Sequence, residues 1–300
     1  MKNNQYWTTY VQTSEELYRS RATRFRDDNA DLWLNLLQVE NGQDILEIGC
    51  GGGIFTHQIK KHLPETRVTG MDFDINHIKY ATQKAKELGI DCTFVEGDAE
   101  NLPFADNSFD LCFSYTVFNF IEPNAFAKEQ FRVLKPGGKA VIVTAYSLPH
   151  KQMEDWVPDE NCEEKELFEK IWAQAVKSEL NVSDTKRHSD LTEYIAFLEN
   201  HGFSNIFVDS LSAVAYCPDS ANFTQEQAIM QINDNRIAEM SSVLKARNLA
   251  PNALSEVEFT QLIDMINRRW DKRIEQYNSG EKSWDWRVSA ALAIIGTKKT

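Results

Sequence analysis

The chain has 300 residues and a formal net charge of -13, which disfavours a nucleic-acid backbone as the main partner because affinity there comes from phosphate neutralisation. Its five cysteines are scattered without a Cys-x-x-Cys pair, so we expect reduced thiols and neither a disulfide framework nor a metal site. An export signal and a bilayer-spanning apolar run are both missing from the sequence, so we expect a cytoplasmic protein without membrane insertion.

The first 43 residues predict two helices. Thr13 and Glu16 have the spacing of a capping box, and an arginine-rich helix should follow them. A second helix is expected over about 31–39, with its leucines and Trp33 on one face. Aromatic residues precede both helices, and they either anchor a loose terminus or cover a ligand.

A glycine-rich turn follows the first predicted strand, Ile45–Ile48. Gly49, Gly51 and Gly53 lie at every second position, and a helix is expected over 54–62. Glycine permits positive φ and close approach to main-chain N–H groups, and the helix directs its positive end to the same place. This pattern predicts a nucleotide-like ligand at the carboxyl end of a parallel strand. The glycine spacing fits neither a dinucleotide fingerprint nor a nucleotidase phosphate loop.

Acidic residues follow the second and third predicted strands, 67–71 and 92–96. Asp72 lies where nucleoside-binding folds place a carboxylate that accepts both ribose hydroxyls. Asp74 is a nearby competitor for this role. Asp98 follows the third strand and is either a ligand contact or a solvated loop residue.

The remaining elements alternate between helices and strands. Those expected up to residue 144 are a helix over 75–88, a strand over 108–114, a helix over 124–134 and a strand over 139–144. Beyond it we expect a helix over 163–180, another ending at Gly202, a strand over 203–216, long helices opening at Thr224 and Ser255, and a strand over 286–296. Four cations of the last helix, Arg268, Arg269, Lys272 and Arg273, are predicted to form a solvated face in preference to an acidic-substrate site.

Four segments together resemble class I S-adenosylmethionine (SAM) methyltransferases, in particular the quinone-type and other small-molecule group. They are EIGCGGG from Glu47, the acid Asp72, GDAENLPF from Gly97 and RVLKPGGK from Arg132, in that order, and the resemblance covers about residues 44–144. It implies a Rossmann-like three-layer α/β sandwich, with a mostly parallel seven-stranded sheet whose last strand is antiparallel, plus helical lid insertions. We expect one domain over 1–300, comprising a helical cap (1–43), the SAM-binding core (44–144), further helices and the sixth strand (145–217), a helical insertion (218–284) and the last strand (285–300).

The resemblance also implies a cofactor and its contacts. The cofactor is SAM, and the residues implied to contact it are Glu47, Gly49, Cys50, Gly51, Asp72, Phe73, Asp98, Ala99 and Ser114. The helices at both ends of the chain are expected to cover a pocket for a small, partly apolar methyl acceptor. A general base is needed only if that acceptor must lose a proton, and the weak candidates are His150, Tyr146 and Tyr115, with Asn119 beside them.

Other functional classes remain as alternatives. A non-catalytic SAM-binding sensor or scaffold would keep the same cofactor motifs. A nicotinamide oxidoreductase is disfavoured by the glycine spacing. Polyamine synthases share the core, but the Glu47-Ile48-Gly49 run favours methyl transfer. The oligomeric state stays open.

Overall fold

The structure is a computed structural model that describes residues 7–8, 12–22, 24–147, 159–182, 191–221, 223–283 and 286–299. The chain divides into two compact units. The first unit comprises Met1–Leu148, Thr185–Ala213 and Ser289–Thr300, and the second comprises Pro149–Asp184 and Val214–Val288. Each unit is described separately below.

A seven-stranded sheet runs through the described part of the chain. Its strands are β1 (Asp44–Ile48), β2 (Arg67–Asp72), β3 (Thr93–Glu96), β4 (Phe109–Tyr115), β5 (Leu134–Ser147), β6 (Phe203–Tyr216) and β7 (Trp286–Lys298), in the spatial order β3-β2-β1-β4-β5-β7-β6. Strands β1 to β5 pair in parallel, whereas β7 runs antiparallel to β5. The carboxyl ends of β1, β2 and β4 therefore meet at one edge, where the predicted ligand contacts lie.

Helices accompany the sheet in the described part of the first unit. Those with defined bounds are α1 (Ser14–Ala22), α2 (Ala30–Leu36), α3 (Ile54–His62), α4 (Ile75–Leu88), α5 (Pro123–Val133) and α7 (Leu191–Asn200), whereas α6 (Cys162–Val182) belongs to the second unit. Two apolar clusters sandwich the sheet: one buries Trp33, Phe55 and Phe113, and the other buries Leu46, Phe126 and Tyr194. Alternate strand residues face the two clusters, because successive side chains of a strand point to opposite sides.

The amino-terminal edge of the sheet is held by ion pairs. Lys135 Nζ lies 2.8 Å from Asp44 Oδ2 and 2.9 Å from Asp110 Oδ2. Asp44 also pairs with Arg67, with Nε 2.5 Å from Oδ1. Acids and bases thus neutralise one another at the edge away from the glycine turn.

The second unit is a helical bundle of α6 (Cys162–Val182), α8 (Gln225–Leu249) and α9 (Glu256–Ser279). Its core contains Ile171 from α6, Ile232 from α8 and Leu262 with Trp270 from α9. Reciprocal capping boxes open α8 and α9, as their sequences predict. Apolar residues at helical spacing therefore indicate the packing of this unit correctly.

The solvated-face prediction is wrong for two of the four α9 cations. Arg268 and Lys272 are exposed, but Arg269 is 8% exposed and Arg273 is 1% exposed. Both follow Leu262 by whole helical turns, so they lie on the buried face. Each is neutralised there, Arg269 by two glutamates and Arg273 by Asp219.

The predicted fold class is confirmed, with small differences at the ends of elements. The largest difference concerns β5, which begins at Leu134 and not at Lys139. Residues 135–138, between the predicted helix and strand, interrupt the pairing of β5 with β4 through a register shift, with Gly137 at φ 80°. Within the described ranges no helix is long and apolar enough to cross a membrane. The division into a single domain and the position of the lid helices stay predictions.

Candidate active site

The glycine turn between β1 and α3 has the geometry that its sequence predicts. Gly49, Gly51 and Gly53 have φ values of 75°, 52° and 82°, a region that other residues rarely adopt. A Cβ at Gly49 would lie 2.3 Å from Val117 Cγ2, and one at Gly51 would lie 2.3 Å from Leu17 Cδ2. Glycine is therefore required both for the backbone path and for the close packing around it.

Glu47, one residue before the end of β1, supports the helix that follows the turn. Its Oε2 accepts hydrogen bonds from Thr56 N at 3.0 Å and from Thr56 Oγ1 at 2.6 Å. Gly53 caps α3 but has no side chain with which to accept, so Glu47 satisfies a free N–H of the first turn. Burial raises the pKa of Glu47 to about 8, against the opposing effect of the Thr56 hydrogen bonds. Its predicted contact with the cofactor stays a prediction.

Asp72 ends β2 beside the glycine turn. Its Oδ2 accepts from Gly51 N at 2.8 Å, and its Oδ1 accepts from Asp74 N at 2.9 Å. Burial raises the pKa of Asp72, and the neighbouring His77 opposes that shift. The residue remains partly exposed, and each carboxylate oxygen has a further lone pair. Asp72 can therefore accept from two adjacent hydroxyl groups without losing its main-chain hydrogen bonds.

Asp74 is occupied by structural contacts. It is 1% exposed and caps α4 by accepting from Asn76 N at 2.9 Å. Its other oxygen accepts from Thr8 N at 2.8 Å and Thr8 Oγ1 at 2.7 Å. These contacts distinguish the two acids that the sequence left in competition, because Asp74 is occupied in packing whereas Asp72 is partly exposed; the ribose contact of Asp72 stays a prediction.

The other predicted cofactor contacts lie around the same edge. Asp98 is partly exposed and accepts from Glu100 N at 3.0 Å, while Ala99 beside it is buried. Phe73 is partly exposed. The side chains of Cys50 and Ser114 are buried, so a ligand would meet these two residues mainly through their backbone. Burial raises the pKa of the Cys50 thiol well above its ordinary value, so this thiol is a poor nucleophile.

Helix α1 lies directly on the glycine turn. Leu17 packs against Gly51, and Tyr18 packs against Gly52. Ser14 Oγ is 2.8 Å from His77 Nδ1, which ties the start of α1 to α4. Helix α1 is therefore fastened to the glycine turn, and the role of the aromatic residues that precede it stays a prediction.

The carboxyl end of β4 carries a cluster of polar groups. Thr116 has φ 59°, an unusual value for a β-branched residue. Its Oγ1 accepts from Arg21 Nη2 at 3.2 Å. The Tyr115 hydroxyl accepts from Arg24 Nη1 at 2.7 Å, and the Arg21 guanidinium lies 4.9 Å from the centre of the Tyr115 ring. Strained backbone at such an edge is a frequent mark of functional sites.

The predicted candidates for a general base are only partly described. Tyr115 is 6% exposed, and it contacts Arg21 of α1 and Arg24 of the loop that follows α1. Asn119 lies partly exposed in a short 3-10 turn, Phe118–Phe120. The backbone of Tyr146 pairs with Ala290, but its side chain lies outside the described part of the structure, as does all of His150.

Sequence reasoning missed two features of this site. Thr56 and Thr8 hold the two carboxylates nearest to Asp72, and their single hydroxyls carry no sequence signal of that role. The contacts of Arg21 and Arg24 with β4 were also missed. Their only available signal was the density of arginines in a helix next to the motif region.

The sheet order, the antiparallel β7 and the glycine turn after β1 define a Rossmann-like methyltransferase core of class I. Comparisons with known proteins agree, because a family described as a methyltransferase domain matches residues 46–142. Residues 46–142 thus match a methyltransferase domain, and the predicted resemblance to the class I SAM-dependent methyltransferases and their quinone-type group is confirmed.

Curated relatives match about a third of the chain. The chain is 39% identical over 103 residues to the ubiquinone/menaquinone biosynthesis C-methyltransferase UbiE of Bdellovibrio bacteriovorus, covering 34% of this chain and 44% of that protein. It is 37% identical over 103 residues to the malonyl-[acyl-carrier protein] O-methyltransferase of Hahella chejuensis, covering 34% and 36%. The chain thus spans less than half the length of these curated relatives.

A solved structure extends the likeness of the fold. The phosphoethanolamine N-methyltransferase 2 of Haemonchus contortus, with phosphomonomethylethanolamine and S-adenosylhomocysteine, matches with a TM-score of 0.54 at 15% identity. The match covers 100% of this chain and 61% of that one. At this identity the likeness concerns the fold alone.

Proposed function

We propose that this chain binds SAM at the carboxyl edge of its sheet and transfers the methyl group to a small-molecule acceptor, releasing S-adenosylhomocysteine. The observation that carries the proposal is the hydrogen bond that links Asp72 to the glycine turn. Asp72 keeps free acceptor capacity while it fixes Gly51 N, 2.8 Å away. The matching family over residues 46–142 supports the same conclusion.

The predicted contacts other than Glu47 have defined tasks in this proposal. Asp72 accepts the two ribose hydroxyls, and the turn at Gly49 and Gly51 lets a ligand approach main-chain atoms that a Cβ would shield. Asp98 accepts from the adenine amino group. The backbone at Cys50 and Ser114, together with Phe73 and Ala99, encloses the remaining surface of the cofactor.

SAM supplies a methyl group on a positively charged sulfur, which leaves as a neutral thioether. No residue of the chain has to protonate the leaving group, so the protein has to align the acceptor and exclude water. Alignment of this kind contributes roughly 7–11 kcal/mol in well-oriented reactions. Helix α1 on the turn and the Tyr115–Thr116 segment at the end of β4 form the rigid surroundings for that alignment.

The names of the relatives do not point to one class of methyl acceptor. One relative is named for ubiquinone and menaquinone biosynthesis, and another for malonyl-[acyl-carrier protein]. We propose a small, partly apolar acceptor, because aromatic residues surround the edge of the site. Tyr115 and Phe118 are buried there, and Trp7 contacts Phe120 with ring centres 4.7 Å apart.

Calorimetry followed by a turnover assay tests the proposal. SAM and S-adenosylhomocysteine should bind with dissociation constants of roughly micromolar size, whereas NADH should not bind. Release of S-adenosylhomocysteine should then be measured with a short-chain demethylmenaquinone as the first probe acceptor. Binding of NADH without either SAM ligand would refute the function. Binding of SAM without turnover of any acceptor would assign the chain to a sensor or scaffold.

A further inference from the structure

In the part of the chain that the structure describes, Arg21 and Arg24 are cations that lack an acidic partner. Within the described residues, Arg21 donates to the Thr116 hydroxyl and Arg24 donates to the Tyr115 hydroxyl, and neither forms an ion pair. Burial is the main reason that the pKa of Arg21 falls to about 10; Tyr115 opposes the fall and the positive charge of Arg24 adds to it. Both side chains are more than half-buried, which is costly for a guanidinium that only neutral oxygens solvate.

Two nearby arginines, Arg19 and Arg26, do have acidic partners. Arg19 is exposed and lies 2.9 Å from Glu15 on the same helix. Arg26 is exposed and lies 2.8 Å from Asp28. Around α1, the two solvent-facing arginines are thus paired with acids, whereas among the described residues the less exposed Arg21 and Arg24 meet only neutral oxygens. Such an arrangement indicates a ligand that brings the negative charge.

The two guanidinium groups also lie at the correct place for a ligand. Leu17 packs against Gly51, and Arg21 follows Leu17 by one helical turn on the same face of α1. Arg21 reaches Thr116, whose neighbour Val117 packs against Gly49. The arginines therefore lie at the carboxyl end of β4, beside the glycine turn that follows β1. Each still has several N–H donors that form no hydrogen bond with the described residues.

We infer that Arg21 and Arg24 together bind a carboxylate or phosphate group of a ligand held over the carboxyl end of β4. Planar guanidinium groups suit this role because they hold carboxylate and phosphate oxygens through paired hydrogen bonds. The inference rests on the proposed function, since it concerns the same cleft. The anionic group comes either from the amino-acid part of the cofactor or from the methyl acceptor, and the experiment separates these sources.

The variants Arg21→Met and Arg24→Met remove the charge and keep most of the length of the side chain. Arg19→Met is the matched control on the same helix, and Arg21→Lys keeps the charge without the planar fork. Thermal unfolding should show that Arg21→Met keeps or raises the melting temperature, because a buried uncompensated charge is removed. A purely structural arginine would instead lower that temperature when replaced.

The first arm compares S-adenosylhomocysteine with 5′-methylthioadenosine, which keeps the nucleoside and lacks the carboxylate. If the cofactor provides the anion, both methionine variants should bind S-adenosylhomocysteine about ten- to a hundredfold more weakly and bind 5′-methylthioadenosine normally. The second arm measures binding of inorganic phosphate by calorimetry, with and without S-adenosylhomocysteine. If the acceptor provides the anion, wild type and Arg19→Met should bind phosphate beside the bound cofactor product, and both methionine variants should lose it.

Arg21→Lys should give an intermediate loss in whichever arm responds. Folded methionine variants that match wild type in both arms would overturn the inference. Wild-type protein that binds neither nucleoside would instead refute the proposed function, and the phosphate arm without nucleoside would still decide whether the arginines bind anions.

Discussion

Two buried arginines of the helical unit have charged partners, whereas Glu47 and Arg21 of the sheet-containing unit have neutral ones among the described residues. In the helical unit, Arg269 meets Glu164 and Glu239, and Arg273 meets Asp219. In the sheet-containing unit, the acid Glu47 has only neutral hydrogen-bond partners, and Arg21 has no acid within reach among the described residues. Buried charge that is neutralised internally serves packing, whereas buried charge that is not neutralised indicates where a ligand or a proton acts.

The largest expected effect tests the packing role in the helical unit. Arg273→Met leaves the carboxylate of Asp219 buried without its counterion, so the free energy of unfolding should fall by about 3–5 kcal/mol. Denaturant unfolding measures this loss. The double variant Arg273→Met with Asp219→Asn should recover much of it, because no uncompensated charge remains.

Arg268→Met is the matched control for this experiment. Arg268 is exposed on the same helix, and its replacement should change the unfolding free energy by less than about 0.5 kcal/mol. Equal losses at both positions would contradict the distinction between the paired and the solvated cations of α9.

The second effect concerns the proton on Glu47. Its pKa rises on folding from 4.5 to about 8, so the folded state keeps a proton that the unfolded state releases. The stability from this group is complete below the unfolded value and is lost as pH rises towards the folded value, with a slope of up to about 1.4 kcal/mol per pH unit. Unfolding measured across this range should show the decline for wild type.

Glu47→Gln isolates the contribution of this one residue. The amide oxygen can still accept from Thr56, and the variant cannot ionise. Its stability relative to wild type should therefore increase with pH by a few kcal/mol over the same window. Asp72, whose pKa is also raised by burial, remains in both proteins, so the desolvation of its carboxyl group contributes to both curves. Parallel curves would show that Glu47 is not protonated in the folded state.

The third effect separates the two acids after β2. Asp72→Ala should weaken SAM binding about ten- to a hundredfold, because a charged acceptor of two hydroxyls is lost. Asp74→Ala should weaken binding much less but should lower stability by about 1 kcal/mol, because a helix cap and the contact with Thr8 are lost. Calorimetry and thermal unfolding of both variants give the comparison. A larger loss of affinity for Asp74→Ala than for Asp72→Ala would show that Asp74, and not Asp72, accepts the ribose hydroxyls.

The core could be predicted from the sequence because main-chain geometry determines it. The positive φ values of the turn require glycine at positions 49, 51 and 53. The second strand ends at Asp72, where the apolar residues stop. Residue type and spacing therefore indicate both the turn and the acid at the end of the second strand. The long α9 was predicted equally well from its periodic apolar residues. These signals are local in the chain.

The remaining features depend on partners far away in the sequence. Arg273 appeared to be a surface residue because its partner Asp219 lies 54 residues away, and Arg21 meets Thr116 across 95 residues. An arginine has the same local pattern on a solvated face, in a buried ion pair and at an anion site. Only the packed structure distinguishes these three environments.

The sheet order has a consequence for the way the chain folds. Strand β7 is translated after β6 but lies between β5 and β6, and Lys298 at its end contacts Leu134 O across 164 residues. Strand β7, which pairs with both β5 and β6, is therefore synthesised only after the two long helices α8 and α9. We expect a slow final folding step with unpaired strand edges exposed until β7 inserts, so this stage is the most vulnerable to aggregation during synthesis.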